Sequence, residues 1–203
     1  LSDLNAGADG FNIGIGYTAG KAMTTGVQNT IIGGLAGDAL AGGDNNTVLG
    51  YNAMGAANGS ESRNVAIGSN ALAAMDSDAS NYNVAVGYDA GAAVTTGVQN
   101  TLIGGLAGDA LTDATRNVAV GYLALSTETS GYRNVAIGAE ALALANGGNY
   151  NTVIGDSAGE NITTADENTI IGGLAGDALT TGTRNVAIGY HALGGEDAHG
   201  KNV

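Results

Sequence analysis

The amino-acid sequence predicts an all-β fold, a β-solenoid of about eleven coils of 17 residues each. The first supporting observation is a short motif, an Asn followed by three mostly apolar residues and a Gly, which recurs at a nearly constant spacing along the 203 residues. The second is the composition, with 36 Gly, no Pro, no Trp and a single Phe, which allows only a thin core. A fixed period of this length is the signature of a solenoid whose coils pack only against their neighbours.

The repeat Asn begins each coil. Successive spacings are 17, 17, 18 and 19 residues and then 17 throughout, so two coils near residues 58–82 carry small insertions, which we expect to form loops. We interpret residues 1–11 as a lead-in from a preceding segment, 12–201 as one repeat array, and 202–203 as the start of a further coil. The Asn residues are Asn12, Asn29, Asn46, Asn64, Asn83, Asn100, Asn117, Asn134, Asn151, Asn168 and Asn185.

Two further positions never vary within the repeat. A Gly lies four residues after each Asn, and an Ala lies three residues after that Gly. The Gly indicates a positive φ or a lack of space for a Cβ atom, and the Ala indicates a tightly packed corner. A longer period also exists, because the phrase TTGVQNTIIGGLAGDAL from Thr24 returns nearly intact from Thr95, which indicates duplication of a four-coil unit.

The segment from Asn to Gly is short and β-branched, and it predicts a strand. Seventeen residues leave room for two short strands and two tight turns per coil. Side chains alternate along a strand, and we assign the third residue after Asn, always Ile, Val or Leu, to the inside of the coil. These residues are Ile15, Ile32, Leu49, Ile67, Val86, Ile103, Val120, Ile137, Ile154, Ile171 and Ile188.

The opposite face of the strand is apolar as well. Coils with Thr at the first position carry a large second residue, and coils with Val carry Ala. A single solenoid has one interior, so a second apolar face predicts packing against another chain. We therefore expect a parallel, intertwined homotrimer. The repeat Asn residues are expected to form a vertical ladder in which side-chain amides bond to the coils above and below.

Charge and composition exclude several classes of function. The net charge is −13 with only six Lys and Arg, which argues against binding of nucleic acid or an anionic membrane. No apolar run approaches the roughly 20 residues needed to span a bilayer, so we expect no membrane insertion. The absence of Cys excludes disulfides and thiolate metal sites.

Exposed aromatic rings are the first candidates for a binding role. A Tyr follows the repeat Gly in five coils, where it either covers a turn or offers a ring on which a surface glycan stacks. These residues are Tyr17, Tyr51, Tyr88, Tyr122 and Tyr190.

Acidic and His residues are the candidates for metal binding and catalysis. Asp38, Asp109 and Asp177 recur about four coils apart, too far to share one ion within a chain, although a trimer would bring three equivalent copies together. His191 and His199 form no zinc or triad pattern. The irregular stretch with Glu61, Asp76 and Asp78 is explained by a loop. We therefore predict no catalytic residue, no metal, no cofactor and no enzymatic activity.

The motif NVAIG followed, after two further residues, by Ala, as at Asn185–Ala192, resembles the head repeats of trimeric autotransporter adhesins and similar repeats in tail fibres of marine bacteriophages. The resemblance covers nearly the whole chain and implies a left-handed parallel β-roll in which three chains associate. Adhesin heads usually have a shorter period with Ser after the Asn. Phrases such as NTIIGGLAGDALTTG and NVAVGYDAG look more like the phage group.

The leading hypothesis is therefore a structural and adhesive segment of a trimeric phage tail fibre. It implies a place on the virion surface or outside the cell and a host cell-surface glycan or protein as partner. The head of a bacterial trimeric adhesin is the alternative. A third hypothesis, an ice-binding solenoid, requires a flat face of regular Thr residues. Here Thr alternates with Val at the first position after Asn, a position we expect to face inward.

Overall fold

The computed structural model describes residues 10–195, which form one parallel β-solenoid with a single three-residue strand in each of eleven coils. The strands form one sheet in sequence order, and every neighbouring pair is parallel. The predicted all-β solenoid of 17-residue coils is confirmed. We number each coil by its strand. The strands are β1 (Ile13–Ile15), β2 (Thr30–Ile32), β3 (Thr47–Leu49), β4 (Val65–Ile67), β5 (Val84–Val86), β6 (Thr101–Ile103), β7 (Val118–Val120), β8 (Val135–Ile137), β9 (Thr152–Ile154), β10 (Thr169–Ile171) and β11 (Val186–Ile188).

The pairing register places equivalent repeat positions directly above one another. Thr101 pairs with Val118, and Ile103 pairs with Val120. The longer spacings do not shift this register, because Leu49 still pairs with Ile67 and Ile67 with Val86. The inserted residues therefore lie outside the strands, as expected. A one-residue slip would have exchanged the two faces of the sheet.

The prediction of two strands per coil is wrong, because within residues 10–195 the rest of each coil consists of turns and bends with two isolated parallel bridges and no second strand. In coil 6, the Ala107 N–H donates to the Gly104 carbonyl at 3.3 Å and the Leu111 N–H to the Gly108 carbonyl at 3.2 Å. The turn segments also bond from coil to coil, since the Gly108 N–H donates to the Ala124 carbonyl at 2.9 Å. Positive φ angles recur at the fourth, sixth and eighth positions after Asn, and such a backbone cannot continue a strand.

The repeat Gly meets both conditions inferred from the sequence. Gly104 has a φ of 137°, and a Cβ atom there would lie 2.3 Å from the Gly121 carbonyl oxygen. Any side chain would therefore collide with the backbone of the next coil. The invariant Ala seven residues after Asn is buried in coils 1–10, as a tight corner requires.

The assignment of the third strand residue to the interior is wrong. The second residue is buried in β2–β11, whereas the first and third residues are half-buried or exposed. The alternation itself is present, but its phase is set by the repeat Asn, which is buried and shares the inner face with the second residue. The residues that face outward instead of inward are Ile15, Ile32, Leu49, Ile67, Val86, Ile103, Val120, Ile137, Ile154, Ile171 and Ile188.

The size variation at the second position is compensated inside the coil. Coils with Ile, Leu or Val there usually have Gly at the eighth position, as with Ile31 and Gly37. Most coils with Ala there have Leu at the eighth position, as with Ala66 and Leu72. A Cβ atom at Gly37 would already touch the Ile31 Cδ1 atom at 3.5 Å. The second and eighth positions thus share one fixed volume of core.

This pairing predicts that volume can be exchanged between the two positions. Ile31→Ala removes a buried side chain and should destabilise the chain by about 2–5 kcal/mol. Gly37→Leu alone should overpack the core and cost about 1–3 kcal/mol. The double variant reproduces the Ala66 and Leu72 arrangement, so it should lose clearly less stability than the sum of the single variants. Urea unfolding at one protein concentration measures the three losses, and simple additivity would contradict the shared volume.

Candidate functional site

The feature most suited to an interaction is the outward strand face, which we define as the first and third residues of β1–β11. The first position carries Thr or Val in β2–β11, and the third carries Ile, Val or Leu throughout. Leu49 is 43% exposed and Ile103 39%, although both lie on interior strands of the sheet. An apolar stripe thus runs along the whole sheet, and no element within residues 10–195 covers it.

One border of this face is the leading edge, the residue immediately before each repeat Asn. All of these residues are exposed, and all have backbone φ angles between +45° and +62°. The four arginines of the sequence all lie in this one column, although the chain as a whole carries a net charge of −13. The leading edge consists of Phe11, Gln28, Asn45, Arg63, Tyr82, Gln99, Arg116, Arg133, Tyr150, Glu167 and Arg184.

The leading-edge arginines contact the next or preceding coil. The Arg63 guanidinium carbon lies 5.4 Å from the centroid of the Tyr82 ring, and that of Arg133 lies 5.2 Å from the Tyr150 ring. Both are cation–π contacts. Arg184 forms an exposed ion pair with Glu167 at 2.7 Å, which contributes little on a solvated surface.

Arg116 has a neutral partner, because its Nε donates to the Gln99 side chain at 2.9 Å. Within residues 10–195, no carboxylate lies at salt-bridge distance from Arg116 or Arg133, which are stacked in consecutive coils. Of the four leading-edge arginines, only Arg184 has a carboxylate at salt-bridge distance within the described residues.

The opposite border is the trailing edge, the residue immediately after each repeat Gly. It contains the five tyrosines selected from the sequence, and the structure places all of them in one exposed column. Exposure ranges from 54% for Tyr122 to 80% for Tyr17. A Cβ atom at Gly105 would lie 3.7 Å from the Tyr122 ring, so this ring lies beside the Gly of the preceding coil. The tyrosines are Tyr17, Tyr51, Tyr88, Tyr122 and Tyr190.

The repeat Asn residues form a buried column on the inner side of the strands. The Asn134 N–H donates to the Asn117 Oδ1 at 2.9 Å, and the Asn134 Nδ2 donates to the Gly148 carbonyl at 2.7 Å. Its own Oδ1 accepts the Asn151 N–H at 3.0 Å. The Asn134 side chain thus connects its own coil to the next one, and its backbone N–H binds the Asn of the preceding coil. The bond from each Asn N–H to the preceding Asn Oδ1 recurs along the array.

The recurring Asp residues lie in the turn segments, away from the strands, and the structure does not bring them together. Burial raises the pKa of the Asp109 carboxyl, and the nearby Asp89 carboxylate raises it further. Asp177 Oδ1 lies 3.6 Å from the His191 Nδ1. His199 lies outside the described residues.

Two buried carboxylates hold irregular turns. Glu61, which the sequence placed in an irregular loop, accepts N–H groups from Gly59 at 3.1 Å, Ser77 at 3.1 Å and Asp78 at 3.3 Å. Asp76 and Asp78 are exposed.

Sequence reasoning missed Glu128. Its Oε1 accepts the Gly131 N–H at 2.7 Å and the Gly147 N–H at 2.8 Å. Glu128 occupies a repeat position that is apolar in the other described coils with that position, such as Leu111 and Ala145, and this exception to the pattern was the available signal.

Across residues 10–195 there is no pocket, no group of three metal-ligating side chains, and no helix long and apolar enough to cross a membrane. Comparison with known protein families, curated proteins and solved structures finds no match for this chain. The outward strand face and its two edges are therefore the candidate functional surface on geometric grounds alone.

The Asn column predicts a large cost for losing one amide. Asn134→Ala leaves the buried Asn151 N–H and Gly148 carbonyl without their partners, at about 1–3 kcal/mol for each group. The midpoint of thermal unfolding should fall by several degrees. Asn58→Ala, at an exposed Asn, is the control and should leave the midpoint unchanged. Equal midpoints for the two variants would show that the column does not stabilise the stack.

Proposed function

We propose that this chain is a structural and adhesive segment of a trimeric fibre, in which three parallel copies pack their outward strand faces around a common axis. The observation that carries the proposal is the apolar stripe along all eleven strands, which a single chain leaves in contact with water. Burial of Ile, Val and Leu side chains in such a stripe yields roughly 25 cal/mol for each Å² removed from water.

Cyclic symmetry suits a stripe that is the same in every coil. Parallel copies around one axis bring coil 1 beside coil 1 and coil 11 beside coil 11, so each level of the stripe meets its own equivalent. The resemblance of the NVAIG motif to adhesin heads favours three copies and a left-handed coil. Three long, regular chains joined in this way form a rod suited to a fibre.

A phage tail fibre is the origin that the repeat phrases support best, with attachment to a host-surface glycan or protein as the role and the virion surface as the location. Three copies would multiply weak contacts into avidity. The strong negative charge keeps such rods apart in solution. A bacterial adhesin head remains the alternative, and a virion-attachment domain or a membrane anchor in the flanking sequence would distinguish the two.

We propose no catalytic role for the irregular acidic stretch around Glu61. The Glu61 carboxylate is buried and accepts three backbone N–H groups, which is a structural use of a carboxylate.

An ice-binding role is a second candidate that one observation favours. The first strand position faces outward, contrary to our expectation, so its five Thr side chains lie on the surface. The intervening Val residues interrupt the Thr array that an ice-binding face would require. Thermal hysteresis of the purified chain measures this directly, and we expect none. The Thr residues are Thr30, Thr47, Thr101, Thr152 and Thr169.

The trimer is tested by light scattering on the whole chain, which should give three times the mass of one chain. Ile103→Glu places a charge in the apolar stripe without disturbing the inner core, so it should reduce the trimer fraction at a given concentration at least tenfold. Thr96→Glu adds the same charge at an exposed turn and is the matched control. A wild-type chain that is folded and monomeric would overturn the proposed function.

A further inference from the structure

We infer that in the assembled fibre the leading edge of each chain packs against the trailing edge of the next copy, so that arginines of one chain contact tyrosines of its neighbour along three seams. This inference rests on the proposed trimer. It goes further by naming the two chemically different surfaces that meet and the level at which each pair meets.

The seam follows from the direction of the strands. In a cyclic trimer the three sheets surround the axis, and their strands run around it in the same rotational sense. The end of one chain's strand therefore approaches the start of the next chain's strand. The leading edge precedes the strand by two residues and the trailing edge follows it by two, as Arg116 and Tyr122 do on either side of β7. These two columns are thus the side chains nearest to each junction.

The chemistry of the two columns is complementary. Every arginine of the chain lies on the leading edge, and five of the eight tyrosines lie on the trailing edge. An Arg guanidinium over a Tyr ring is a favourable pair, and the chain already forms such pairs within its own leading edge. Arg116 lacks a carboxylate partner within the described part of its own chain, and the Tyr122 ring is 54% exposed. The Arg116 guanidinium and the Tyr122 ring can therefore both contact a neighbouring chain.

The arginines and tyrosines of the two edges also match in their positions along the trimer axis. Cyclic symmetry involves no shift along the axis, so residues that flank the same strand meet at a seam. Arg116 and Tyr122 flank β7, and Arg184 and Tyr190 flank β11. Arg63, which precedes β4, would lie between the levels of Tyr51 and Tyr88. Neighbouring levels are about 4.8 Å apart, which long side chains can bridge.

The absence of Cys from the sequence permits a direct test by cross-linking. In the double variant Arg116→Cys with Tyr122→Cys, the two thiols lie beyond opposite ends of their own strand, more than about 10 Å apart. A disulfide needs Cα atoms within about 7 Å, so a bond within one chain is excluded. Oxidation, or a short bis-maleimide linker for a slightly wider seam, should convert most of the whole chain to a covalent trimer on a denaturing gel.

Two matched controls define the register. Each single variant, Arg116→Cys or Tyr122→Cys, should remain a monomer on the gel, because unlike edges meet at every seam. The off-level double variant, Arg116→Cys with Tyr88→Cys, separates the thiols by two coils, about 10 Å along the axis, and should not cross-link at the disulfide distance.

The outcomes separate the seam from the trimer. A light-scattering trimer in which the coil 7 pair fails to link by either reagent, or in which a single variant forms covalent dimers, overturns the seam and leaves the proposed function standing. A monomer overturns both. If the pair links and Tyr122→Ala also lowers the thermal midpoint of the trimer, the seam stands. A Tyr122→Ala variant with unchanged trimer stability and weakened binding to host cells would instead assign the column to glycan contact.

Discussion

The hydrogen bond between each repeat Asn and the backbone of the adjacent coil is the constraint on which the rest of the structure depends. The Oδ1 atom of each Asn accepts the N–H of the next repeat Asn, and the Nδ2 atom usually donates to a carbonyl near the end of the same coil. In a buried, low-dielectric column these bonds are strong and costly to lose. They hold successive coils in one register, and they turn the Asn side chain inward. The inward Asn determines that the second strand residue is core and that the first and third residues face out.

The core enclosed by this stack is thin, and one coil alone has too little of it to be stable. A strand of three residues lies on one side, and a chain of turns closes the other. The small Gly at the fourth position lets adjacent backbones approach, and the second and eighth positions share one volume between them. Coil 5 illustrates the dependence on neighbours, because its Ala85 and Gly91 are both small and Leu102 of coil 6 fills the space beside Gly91. Stability therefore accumulates with the number of coils.

The same geometry leaves a surface that differs from side to side. The outward strand face is apolar, its leading edge carries all the arginines, and its trailing edge carries most of the tyrosines. Because the two borders of this face differ, copies can pack head to tail in a ring, with the leading edge of one beside the trailing edge of the next. Such a ring would bury the apolar face, which the described part of a single chain leaves in contact with water. The proposal of a fibre segment therefore rests on the packing of this whole face and not on any single side chain. Its turns, by contrast, hold the buried carboxylates and the dispersed Asp residues.

The sequence by itself determined the period, the existence of a strand in each coil, the Gly that must lack a Cβ atom and the placement of the insertions in loops, because these depend on local spacing that recurs in every coil. Only the tertiary structure decided which strand face is core. Alternation relates neighbouring residues but does not say which of them points inward, and Ile103 and Leu102 are equally apolar. Only the fold, too, showed that the second side of the coil is made of turns, and that Glu128 replaces an apolar core residue while its carboxylate binds backbone N–H groups across two coils. The bond from the Gly147 N–H to Glu128 joins residues of two different coils, and local sequence does not encode such a contact.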